Sequence, residues 1–209
     1  MNFNGEKTKA LEERCLNFLN SMGFQVERNN DTKITDIDMK THDGKYVDFQ
    51  YSADFNVYGT LRIDFVSSFK PKSNMKPWAM EETIKNEFLL KGKDFGDLCD
   101  IMKQHIEVKK LGKIFDAKLS SIIYFLYSKP ENEILETDIP TAIVIVKKEM
   151  LIDFILENIK PIVERRNVKI NIKQNGDTWG SSFISIPLSA LNATKDAYII
   201  HTRDIRNSL

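Results

Sequence analysis

Four polar side chains in the first quarter of the chain have a spacing that suits work on phosphate esters. Asp36 and Asp38 are two residues apart, Asp48 and Gln50 are two apart, and His42-Asp43-Gly44 lies between the pairs. Residues two apart on an extended strand project from one face. A tight hairpin at the intervening Asp-Gly turn would therefore bring Asp38 close to Asp48 and Gln50. Facing carboxylates repel unless a cation sits between them. Mg²⁺ suits such a pair, because it takes one or two carboxylates and completes its shell with water and phosphate oxygens. A metal so held activates water and stabilises the leaving oxygen of a phosphodiester. The plainer reading of the same residues is the solvated face of an antiparallel sheet, with polar positions alternating outward.

The elements that would position these groups are legible in the apolar spacing. Leu11, Cys15, Phe18, Leu19 and Met22 mark one face of a helix from about Glu6 to Met22, with Gly23 as its stop. Phe24 to Arg28 reads as a short strand, and Ile34 to Lys40 alternates like one. Beyond the turn, Lys45 to Ser52 alternates again, with Val47, Phe49 and Tyr51 opposite Asp48 and Gln50. Leu61 to Ser67 is a further strand carrying Arg62 and Asp64 on its polar side. Helices are expected at Trp78–Leu90, Phe95–Ile106 and Lys148–Ile159. Strands are expected at Leu119–Tyr127, Ile139–Val146, Val168–Lys173 and Phe183–Leu188, the last two around a turn at Asn175-Gly176-Asp177. That order predicts an α/β fold with a mixed central sheet flanked by helices.

Taken together, the run from Glu12 to Gly23-Phe24, then Asp38, then Asp48-Phe49-Gln50 resembles the PD-(D/E)XK nuclease superfamily. Its members carry a glutamate on a first helix, a strand ending in aspartate and a strand with (D/E)-X-K. Tyr58-Gly59 and Ile63-Asp64-Phe65 resemble the turn and acidic strand that follow in some members. The resemblance implies a restriction-endonuclease-like core over residues 6–67. Beyond that stretch the chain carries no resemblance; within a single 1–209 domain the element order leaves 69–112 open as an inserted helical arm or as core, followed by a C-terminal extension of strands and helix over 119–209. The resemblance further implies a Mg²⁺- or Mn²⁺-dependent nuclease, endo- or exonucleolytic, hydrolysing DNA in preference to RNA. Asp38 and Asp48 would hold the metal, Gln50 would position water and Glu12 would support the site. Three departures stand out. Gln50 replaces a lysine and orients water without supplying charge. The motif's proline is absent, and Asp36 competes with Asp38 for the metal. The alternative is therefore a catalytically inactive nuclease-fold module that binds nucleic acid or a protein.

Composition narrows the classes. Lys+Arg and Asp+Glu are 30 each, for a formal charge of zero. A neutral chain contacts nucleic acid through a local patch. The candidate is Phe69 to Trp78, where Lys70, Lys72 and Lys76 suit phosphates and Trp78 suits base stacking. Lys109, Lys110 and Lys113 form a second small basic run. Cys15 and Cys99 lie on helical apolar stretches and read as free thiols. His42, His105 and His201 are not spaced as ligands. There is no Walker loop and no dinucleotide fingerprint. The start of the chain lacks an apolar signal core, and no apolar run nears the roughly 20 residues of a membrane span. A cytoplasmic protein without membrane contact is expected, and a homodimer is compatible.

Overall fold

The computed structural model describes residues 5–30, 39–52, 59–130, 133–135, 138–166, 168–173, 179–191 and 197–201. In chain order the elements are α1 (Gly5–Ser21), β1 (Val26–Arg28), β2 (Met39–Thr41), β3 (Tyr46–Ser52), β4 (Thr60–Pro71), α2 (Pro77–Lys91), α3 (Phe95–His105) and β5 (Ile106–Leu111). After a 3₁₀ turn (Lys113–Phe115) come β6 (Leu119–Leu126), β7 (Ala142–Lys147), α4 (Lys148–Arg166), β8 (Lys169–Lys173), β9 (Trp179–Pro187), α5 (Leu188–Leu191) and β10 (Ala197–His201). They form two compact units. The first is Met1–Gly59, Lys118–Lys148 and Leu188–Leu209; the second is Thr60–Ala117 and Glu149–Pro187.

In the first unit α1 follows its apolar period, burying Leu11, Cys15 and Leu19. Gly23, at φ 88°, lets its own amide and that of Phe24 turn back to the Asn20 and Leu19 carbonyls at 3.0 and 3.1 Å. This satisfies carbonyls that the last turn leaves open. The Asn20 side chain then exchanges two 2.9 Å bonds with the Val26 backbone and so starts β1. β2 and β3 form the expected antiparallel hairpin, with Gly44 at φ 82° in its loop. Asp43 in that loop is held by the Lys45 ammonium and the Thr41 hydroxyl, which keep its carboxyl below the ordinary value. The sheet runs β1-β2-β3-β6-β7-β10, and β3–β6 is its parallel pairing. Leu11, Cys15 and Leu19 of α1 share a core with Val47, Phe49, Ile123 and Phe125. Ile122 to Tyr127 are buried without a break, as in a strand covered on both faces.

The second unit has an antiparallel sheet, β5-β4-β9-β8. Glu81 of α2 guards the β8 edge: it accepts the Ile170 amide at 2.8 Å and the Lys169 ammonium at 3.1 Å. Two expectations are corrected here. Residues 69–112 are not a purely helical insertion, because Ile106–Leu111 is a strand and Phe69–Pro71 completes β4. Phe69 is fully buried, with Gly180 so close to its ring that a side chain there would collide. The helix that begins at Lys148 does not stop near Ile159 but runs through Pro161 to Arg166. β10 was not foreseen, and the turn at Asn175-Gly176-Asp177 lies outside the described residues. The architecture is α/β with a mixed sheet, and no described helix is long and apolar enough to cross a membrane.

Candidate metal centre on the third strand

β3 sets the site by simple alternation. Val47 and Phe49 enter the core that α1 covers, so Asp48 and Gln50 leave from the opposite face. Asp48 is 0% exposed, and Gln50 is half-buried. The Gln50 side-chain amide donates to Asp48 Oδ2 at 3.2 Å. Across the parallel pairing, Asp48 lies beside Ile122 and Gln50 beside Tyr124, both buried. A carboxylate among such neighbours depends on polar partners, since burying an unpaired charge is costly. The pair brings together a carboxylate and a side-chain amide. These hard donors suit Mg²⁺ or Mn²⁺.

The other expected ligands are distributed unevenly. Asp36 and Asp38 lie outside the described residues; Met39, the next residue, pairs with Val47 in the hairpin. Glu12 on α1 has Arg28 of β1 as a described partner, at 3.3 Å, and the same guanidinium holds Glu13 at 3.3 Å. Asp64 belongs to the second unit. It pairs with Arg62 at 2.7 Å, and that guanidinium lies 4.0 Å over the Phe183 ring. Among the described residues, no group of three or more His, Cys, Asp or Glu could hold a metal.

The basic residues come together more than the sequence indicated. Lys70 on β4 pairs across the strands with Glu107 on β5. The Glu107 carboxyl is held low, first by its hydrogen bond from Lys109 and then by the charges of Lys109, Lys70 and Lys72. The two basic runs of the sequence thus meet on neighbouring strands. Their common signal was the alternation of Ile106 and Val108, masked by the lysines that follow. Lys72 donates to the Lys103 carbonyl, and Lys76 is the N-cap of α2. Trp78 in the first turn is 64% exposed, as a stacking residue requires. Phe69, by contrast, is lost to the core. Comparison of the chain with known protein families, with characterised proteins and with solved structures finds no match.

Proposed function

We propose that the chain is a divalent-metal-dependent nuclease of restriction-endonuclease-like fold, hydrolysing phosphodiester bonds in DNA. The observation that supports it best is the Asp48–Gln50 pair, side by side on one face of β3 and joined at 3.2 Å. Asp38, the residue before Met39, would share the metal with Asp48. The metal would supply a Lewis acid and an activated water. Gln50 would hold that water by its amide, and Glu12 would support the site from α1. The basic strands bearing Lys70 and Lys109, with Lys72, Lys76 and exposed Trp78, would receive the nucleic acid through phosphates and a stacked base. The site of action would be the cytoplasm.

A second reading is favoured by one observation: Asp48 is completely buried, and an uncharged glutamine stands beside it. On that reading the fold binds nucleic acid without cutting it. One series of assays separates the two. Purified protein is incubated with single-stranded, double-stranded and branched DNA, and with RNA, at low salt and with Mg²⁺ or Mn²⁺. Cleavage that Asp48→Asn abolishes, while nucleic-acid binding persists, supports the nuclease. If wild type and Gln50→Lys both bind metal yet cut none of these substrates, the catalytic reading fails and the binding module stands.

A further inference from the structure

We infer that the second unit carries a binding site for a small uncharged aromatic molecule, seated between the β4 bulge and α3. The site is an apolar cleft of about 280 Å³, larger than the roughly 150 Å³ apolar cavity that accepts benzene. Phe65 and Val66 of β4 form one wall, and Cys99 and Met102 of α3 another.

The cleft is built into the fold. Phe65 and Val66 are consecutive and both buried, whereas neighbours on a regular strand face opposite sides. The β4 pairing slips between Asp64 and Val66 on one side and between Val66 and Ser68 on the other. Such bulges re-aim side chains and concentrate near functional sites. Gly112 completes the arrangement. Its amide donates to the Phe65 carbonyl at 2.9 Å, and a Cβ there would lie 1.8 Å from the Asp64 carbonyl oxygen. A glycine is what lets the 3₁₀ turn Lys113–Phe115 fold this close to the bulge.

The lining selects the ligand. The Phe95 and Phe115 rings stack at 5.8 Å, and Phe65 meets Phe95 edge-on at 6.1 Å. A flat ring extends this pattern by offset or edge contact. The charged side chain of the lining is Lys103, whose ammonium is bound to Asp100 at 2.8 Å. A charged ligand would find no free counter-charge and would lose its hydration. Water in the cleft has few polar partners, so an apolar ring displaces it favourably. This site is independent of the Asp48 pair and of the nuclease reading.

Cys99 supplies the test. Its thiol lines the cleft, half-buried, and desolvation holds its pKa up, so alkylation by N-ethylmaleimide will be slow and sensitive to occupancy. The rate at Cys99 is followed by peptide mass spectrometry with increasing indole as the probe, and with benzoate as its charged counterpart. Saturating indole should slow alkylation at least about tenfold, with a hyperbolic dependence on concentration, and benzoate should have little effect. Val108→Phe, on the facing strand, should fill the cleft and remove indole protection; Met102→Phe serves should that variant fail to fold. A rate independent of indole would overturn the inference. So would equal protection in a folded, filled variant, or equal protection by benzoate.

Discussion

β3 in the first unit and β4 in the second carry the same kind of polar alternation, Asp48-x-Gln50 and Arg62-x-Asp64, with opposite outcomes. Asp48 is 0% exposed, beside buried Ile122 and Tyr124, and its described donor is an uncharged amide. Asp64 keeps a side chain 29% exposed, with a guanidinium at 2.7 Å that rests on Phe183. An acid on an open sheet face costs little and contributes little, because solvent screens it. An acid on a closed face is expensive unless its partners are in place. The buried pair is therefore the costlier of the two to place, and the exposed pair is ordinary surface chemistry.

The largest effect should come from the apolar side of β3. Phe49 packs edge-on against Phe125 at 5.0 Å. Phe49→Ala should cost about 3–5 kcal/mol in urea unfolding, by lost transfer energy and a residual cavity. A loss below about 1 kcal/mol would mean that the α1 face is not the core. The comparison itself is sharpened by Gln50→Leu set beside Asp64→Leu. Gln50→Leu leaves a buried carboxylate short of a donor and should cost about 1–3 kcal/mol. Asp64→Leu should cost under about 1 kcal/mol. Equal losses would erase the distinction between the two strands.

The smallest effect concerns two exposed acids, one in each unit. Asp43 is held low by Lys45 and then Thr41, and Glu107 by Lys109. Each folded pKa lies below its unfolded value. The contribution to stability is therefore present above the unfolded pKa and is lost as pH falls through the folded one. NMR titration should show both carboxyls ionising below their ordinary values. Lys45→Ala should move Asp43 back up and leave Glu107 unchanged, and Lys109→Ala the reverse. A coupled response, or no shift in either, would contradict the local pairing.

Much of the first unit was legible from short-range patterns. The α1 face, its stop at Gly23 and the hairpin around Gly44 each depend on a few neighbouring residues, and the structure has all three. β5 was not legible, because Lys109 and Lys110 hide the alternation of Ile106 and Val108. The helix expected over Lys148–Ile159 continues through Pro161, a residue that removes a backbone donor, and ends at Arg166, where the sequence reads Glu164-Arg165-Arg166 as a helix end. Of the candidate site, the shared face of Asp48 and Gln50 followed from a spacing of two. The Arg28 clamp on Glu12 did not, since it links residues on separate elements.

By itself the sequence determined which side chains share a face, where the helices carry their apolar stripe and which turns need a glycine. These are matters of backbone period and local sterics. Only the tertiary structure decided that β3 pairs in parallel with β6, that the chain alternates between two compact units, and that the face bearing Asp48 is closed while the side chain of Asp64 remains partly open. Alternation defines two faces of a strand. Which of them is covered depends on residues far along the chain, and no local pattern carries that information.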